Sequence, residues 1–277
     1  MILGAFESDL WDILVYGLLG LVQGLTEFLP VSSSGHLTIL GNVLSTYDGD
    51  KMSFAIVVHF ATALSTIVVF RKDIAELAIN FFKPNEEGGL AARKYVGLLA
   101  ISAIPAAIIG FTLKDSIEGL TGSLFVGFML IITAAILFVS QKIKVESGKP
   151  LSPINTAIIG IAQAFAMLPG ISRSGSTIGA AILLGISRAE AAKFSFLMVL
   201  PVILGATALD LKDVLAEPAA QAVHHAPYSA YAAGFIAAFV SGLFACKWMI
   251  KLVKGTNLNW FAVYCGIVGL ITILAHT

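Results

Sequence analysis

The sequence predicts an all-α integral membrane protein: six transmembrane helices plus two re-entrant helical hairpins, arranged as an inverted-topology repeat. Three observations carry that prediction. The 277-residue chain has a mean hydropathy of +0.91 and 12% charged residues, where a soluble domain carries about 25%. Apolar runs of spanning length recur along it. A polar stretch at 23–36, QGLTEFLPVSSSGH, interrupts the first apolar run, and part of its pattern returns 140 residues later.

The elements follow in order. The first apolar segment covers about 10–29 and a loop about 30–35. Pro30 pushes Leu29 away from the helical region and Gly35 adds a second break, so the stretch reads as helix, loop and second helix. The returning arm, about 36–46, is too short to cross about 30 Å at 1.5 Å per residue. A re-entrant hairpin fits, followed by a polar segment at 45–51. Full spans are expected at about 53–70, 95–112 and 123–140, with charged links at 71–94 and 113–122 and a further link at 141–153. The second half repeats the plan. Its hairpin covers about 154–186, with the loop PGISRSGST at 169–177, and its spans lie at about 194–210, 229–247 and 258–276. Gly20 and Gly160, Gln23 and Gln163, Ser32 and Ser172, Ser34 and Ser174, Gly35 and Gly175, and Phe54 and Phe194 share the offset of 140, as do Lys72-Asp73 and Lys212-Asp213. That register argues for one membrane domain over 1–277, duplicated internally with halves of about 1–145 and 146–277.

Basic residues set the orientation. With the N-terminus outside, the inside segments are 71–94, 141–153, 186–193 and 247–257. They hold thirteen of the 17 lysines and arginines, among them Arg71, Lys72, Lys144, Arg188, Lys193 and Lys254. Lys51, Lys114 and Lys212 fall outside, and Arg173 sits in the second loop. Three spans per half then invert the two repeats, so the hairpins enter from opposite sides and their loops meet near the midplane. Both termini are expected outside. Glu7, Asp9 and Asp12 replace the basic start of a cleaved signal peptide, so none is expected. A net charge of zero gives no basic face for nucleic acid. Cys246 and Cys265 lie inside predicted spans and suggest neither a disulfide framework nor a zinc site.

Polar groups at membrane depth are costly, and ionisable ones mark function by default. One loop supplies Gln23, Glu27, Ser32, Ser33, Ser34 and His36. The other supplies Ser172, Arg173, Ser174, Ser176 and Thr177. An arginine fork matches phosphate oxygens, and amides at the start of each return helix add donors for an anion. A serine or histidine is a candidate nucleophile toward phosphorus, with an imidazole or carboxylate managing the proton. The carboxylate is alternatively a ligand for a divalent cation that screens the phosphate charge. Other polar residues have blander readings. His59 reads as a helix-contact histidine, Asp210 as near an outer interface, His224 and His225 as a chance pair without a third ligand, and Gln163 as a pocket-lining or bridging residue.

QGLTEFLPVSSSGH followed by PGISRSGST resembles the undecaprenyl-diphosphate phosphatase family linked to bacitracin resistance. Both signatures stand entire, and the resemblance extends over essentially the whole chain, including FSFLMVLP and GATALDL at 194–211. It implies six spans with two hairpins, and hydrolysis of a C55 polyprenyl diphosphate to the lipid monophosphate and inorganic phosphate. Such a reaction recycles the lipid carrier for cell-wall synthesis and confers bacitracin resistance. The resemblance further implies an essential acid and metal contact at Glu27, with Mg2+ or Ca2+, and a diphosphate clamp at Arg173 with Ser172 and Ser174 beside it. Ser33 is the favoured nucleophile, with His36 as the rival. Gln23 stands where some relatives have Glu, which removes one carboxylate. The expected partners are the lipid diphosphate, the bilayer of the cell membrane and a second copy of the chain. The competing function is a secondary transporter or lipid flippase for an anionic substrate, since inverted repeats with broken helices also build carriers.

Overall fold

A computed structural model describes residues 2–44, 51–83, 86–120, 122–143, 148–216, 226–255 and 258–276. The polar segment at 45–50, Lys144, His224 and His225 lie outside the described residues, as do the side chains of Glu7, Lys51, Asp210 and Lys254. Among the described residues the chain is helical throughout, without strands.

The first pair is α1 (Ile2–Phe28) and α2 (Ser33–Leu44). The break between them falls where Pro30 excludes the helical region for Leu29. α3 (Lys51–Val69) runs into α4 (Arg71–Phe81) through a 74° bend at the buried Phe70. Then come α5 (Glu87–Glu118), α6 (Ser123–Ser140), α7 (Pro153–Phe165) and α8 (Arg173–Leu183). The chain closes with α9 (Arg188–Ala216), α10 (Tyr228–Gly255) and α11 (Asn259–Leu274). Among the described residues four helices, α5, α6, α9 and α10, are long and apolar enough to cross a bilayer, and the bent pair α3–α4 makes a fifth if it is one broken span. α7 and α11 are shorter apolar helices. α4 departs from the sequence expectation of a plain link: Ile74 and Leu77 lie on one face and pack against the core, which folds the segment into a helix.

α1 lies along α10, α7 along α5, and α6 along α11, with α3 packed between α10 and α9. These crossings are close because small residues meet backbone there. A Cβ on Gly127 would press on the Gly269 carbonyl at 3.1 Å, and one on Gly269 would meet the Gly127 carbonyl at 2.8 Å. A Cβ on Gly20 would run into the Gly234 carbonyl, and one on Gly160 would stand 2.5 Å from the Ser102 carbonyl. In lipid no hydrophobic gain drives two helices together, so dispersion and close backbone approach hold these pairs. The largest core cluster gathers Phe28, Ile178, Ile182, Phe194, Phe196, Met198 and Met249 behind the two loops. Large apolar side chains such as Phe111, Phe128, Phe165, Phe244 and Ile271 remain exposed, an outer face that suits hydrocarbon.

One end of the molecule collects the basic segments. Lys193 pairs with Asp73 at 2.5 Å, Arg188 donates to Gln141 Oε1 at 2.8 Å, and the same oxygen accepts from the Leu258 amide at 3.3 Å. The ends of α3, α6 and α10 and the starts of α9 and α11 therefore share a side. At the other end Asn42 of α2 donates to Ser123 of α6 at 2.9 Å.

Gly20→Leu places carbon where a backbone carbonyl already stands, a conflict no rotamer relieves. It is expected to cost upwards of about 1–3 kcal/mol and to lower the unfolding temperature in detergent. Gly97→Ala, at a position with nothing within 4 Å, is expected to leave it nearly unchanged; thermal unfolding followed by size-exclusion retention checks both.

Candidate functional site

The two loops touch. A Cβ on Gly35 would lie 3.2 Å from Gly170 Cα, and one on Gly175 would lie 3.2 Å from Pro30 Cβ. Gly170 takes φ +97°, a conformation that glycine adopts without penalty. Ser34 Oγ accepts from the Gly170 amide at 3.4 Å, and Ser174 Oγ donates to the Leu29 carbonyl at 3.1 Å. Thr133 of α6 braces the second loop, donating to the Gly170 carbonyl and accepting from the Ser172 amide at 3.0 Å.

Each return helix is capped by its loop serine. Ser32 Oγ accepts from the Gly35 amide at 3.2 Å, and Ser172 Oγ accepts from the Gly175 amide at 3.0 Å. Ser32 does so at φ 71°, a left-handed conformation that costs a non-glycine residue roughly 1–3 kcal/mol. Its carbonyl offsets part of that by accepting both the His36 amide and His36 Nδ1. The first helical residues are then Ser33 in α2 and Arg173 in α8, so a hydroxyl and a guanidinium stand at equivalent helix starts.

Both meet Glu27. Arg173 Nη2 donates to Glu27 Oε1 at 2.5 Å, across 146 residues of sequence. Ser33 Oγ donates to Glu27 Oε2 at 2.7 Å, and Gln23 Nε2 donates to the same oxygen at 3.0 Å. Gln23 is fully buried, and its Oε1 has no hydrogen-bond partner among the described residues. The sequence therefore placed Gln23, Glu27, Ser33 and Arg173 in one group, and the structure brings these four together.

The remaining expected residues sit differently. His36 turns aside: Nδ1 bonds the Ser32 carbonyl at 2.7 Å, Nε2 meets the Tyr264 hydroxyl at 2.7 Å, and the two rings stack. A carbonyl only accepts, so Nδ1 donates to it, and Nε2 pairs with the Tyr264 hydroxyl. The Ser172, Ser174 and Thr177 hydroxyls are buried and engaged by protein, Thr177 Oγ1 with Ser195 Oγ and the Arg173 carbonyl. Ser176 Oγ is buried without a partner among the described residues, and both amide atoms of Gln163 are likewise unpartnered there. His59, read from sequence as a helix contact, stands with Nε2 4.0 Å from Glu27 Oε2. Tyr264, Thr133 and Ser195 went unread, because each lies in an apolar run with no neighbouring polar pattern.

The donor set tests the expected divalent cation. Glu27 is the carboxylate of this site, and three donors, from Arg173, Ser33 and Gln23, point at its two oxygens. A cation needs those lone pairs and repels those donors. No group of three His, Cys, Asp or Glu suited to a metal occurs among the described residues. A divalent ion at Glu27 would have to displace at least one of these donors and draw its other oxygens from groups such as Gln23 Oε1 and phosphate.

A family model described as bacitracin resistance protein BacA matches residues 16–271. A protein named undecaprenyl-diphosphatase from Christiangramia forsetii is 49% identical over 96% of this chain and 98% of its own length. Relatives of the same name from Parabacteroides distasonis and Methanosphaera stadtmanae are 49% and 38% identical, over 92% and 95% of this chain and 95% and 98% of their own lengths.

Breaking one partner of a buried ion pair strands the other charge, at a cost of about 3–5 kcal/mol. Arg173→Gln is expected to lower the unfolding temperature, and adding Glu27→Gln is expected to recover most of the loss. A double-mutant cycle on thermal stability reads the coupling directly.

Proposed function

The chain belongs to the bacitracin resistance protein BacA family, and on that premise we propose that it is an undecaprenyl-diphosphatase. It is a multi-pass membrane hydrolase that converts undecaprenyl diphosphate to undecaprenyl phosphate and inorganic phosphate, returning the lipid carrier to cell-wall synthesis and conferring bacitracin resistance. The observation that carries this reading at the site is the Ser33–Glu27–Arg173 group at two facing helix starts.

The lipid tail stays in the bilayer and the diphosphate enters at the loops. Arg173 gives its fork to the phosphate oxygens, while the starts of α2 and α8 present amides and the positive ends of their dipoles. Ser33 is the nucleophile. Its proton already points at Glu27 Oε2 from 2.7 Å, within reach of a general base. Ser33 Oγ attacks the terminal phosphorus, the bond from phosphorus to the bridging oxygen breaks, and undecaprenyl phosphate leaves with that oxygen. Glu27 takes the serine proton. Water then attacks the phosphoserine, releases inorganic phosphate and restores the hydroxyl. His36, bonded at both nitrogens to Ser32 and Tyr264, supports the first loop and is not the attacking group.

The topology belongs to the same proposal: six spans, α3, α5, α6, α9, α10 and α11, with α1–α2 and α7–α8 as re-entrant hairpins from opposite sides. The paired contacts Gly35 on Gly170 and Gly175 on Pro30 support an inverted repeat, since each is the other shifted by 140 residues. The basic segments gathered at one end support an orientation with that end inside and both termini outside.

Purified protein is expected to release phosphate from undecaprenyl diphosphate in detergent. Ser33→Ala, Glu27→Gln and Arg173→Ala are each expected to lower kcat/KM by at least about 100-fold, with folding checked by size exclusion. Normal turnover in Ser33→Ala would remove the serine mechanism. No turnover by folded wild type that still binds the lipid diphosphate would point to carriage in place of hydrolysis.

A further inference from the structure

Glu27 has one more neighbour that the mechanism above does not use. His59, on α3, directs Nε2 at Glu27 Oε2 from 4.0 Å, the same oxygen that accepts the Ser33 hydroxyl. Its other nitrogen, Nδ1, lies 2.8 Å from the Ala55 carbonyl one turn back. That carbonyl only accepts, so Nδ1 is the donor and Nε2 is the end left to face the carboxylate. This bond stays within α3; across helices, what the ring faces is Glu27. The His59 side chain is 33% exposed and that of Glu27 7%, so the imidazole approaches from the open side while Gln23 approaches from the fully buried side.

We propose that His59 is a positioning residue for the phosphatase reaction, acting through Glu27 Oε2; this rests on the function proposed above. The physical need arises when substrate binds. Arg173 holds Glu27 Oε1 in the structure, and that grip loosens once the guanidinium turns to the diphosphate. The carboxylate then depends on the contacts at Oε2 to keep its lone pair aimed at the serine proton. Gln23 supplies one, and His59 supplies the other through a bridging water that donates one hydrogen to Nε2 and the other to Oε2 across the 4.0 Å gap. Of the two imidazoles near the first loop, His36 is turned to Ser32 and Tyr264, and His59 is the one that serves the base.

Three variants test this, each assayed for phosphate release from undecaprenyl diphosphate. Glutamine places its terminal amide where Nε2 stands, and asparagine places its amide where Nδ1 stands. His59→Gln is expected to stay within about threefold of wild type. His59→Asn and His59→Leu are expected to lose about 10- to 100-fold in kcat with KM within about twofold, the scale on which a misplaced group slows chemistry. Wild-type kcat in His59→Asn, or a His59→Gln as impaired as His59→Asn, overturns the proposal. If His59→Leu does not fold, the Gln and Asn pair carries the comparison alone. An inactive wild type overturns the phosphatase reading, whereas an active wild type with three fully active variants overturns this inference alone.

Discussion

The Arg173–Glu27 ion pair is the contact on which the rest of the structure depends. Each charge lies in a chain where polar side chains are expensive to bury, and neither loop supplies its own counter-charge. Glu27 lies in the last turn of α1 and Arg173 begins α8, so the pair forms only when the two hairpins meet. That requirement explains the glycines at the contact, where a Cβ added at Gly35 or Gly175 would press on the facing loop at 3.2 Å. It also explains why the loop serines bond across the gap, Ser34 to Gly170 and Ser174 to Leu29.

Around this contact the scaffold is paired and the chemistry is not. Ser33 and Arg173 occupy the same place in their hairpins, the first residue of a return helix capped by a serine. One is a candidate nucleophile and the other a cation. Glu27 has Met167 as its counterpart 140 residues on. Two helix starts thus face one another, one opening with the hydroxyl of Ser33 and the other with the guanidinium of Arg173, and both side chains reach the same carboxylate.

A carboxylate ringed by donors behaves differently from one that binds a metal. Arg173, Ser33 and Gln23 all direct hydrogens at Glu27, which fixes the aim of its lone pairs. Gln23 contributes to this because it is an amide: a second carboxylate at that position would accept where Gln23 donates. Gln23 thereby completes the donor ring around Glu27.

Gly35, expected from sequence as a second break, lies inside α2; from the sequence alone came the membrane class, the helical break at Pro30, the pairing of the two loops and four residues that the structure brings together, Gln23, Glu27, Ser33 and Arg173. These were legible because apolar run length, proline sterics and charge at membrane depth act locally, and because the offset of 140 ties one half to the other. The structure decided which hydroxyls are free and which imidazole faces the carboxylate. His36 lies in the signature yet bonds Tyr264 on α11, and His59 lies in an unmarked apolar helix yet faces Glu27. Ser172, Ser174 and Thr177 share a motif with Arg173 yet serve the loop itself. The helix α4 likewise waited for a core to pack against. Each of these outcomes depends on how side chains from distant helices are rotated toward one another, and helix rotation is set by packing across the whole bundle, which no local pattern encodes.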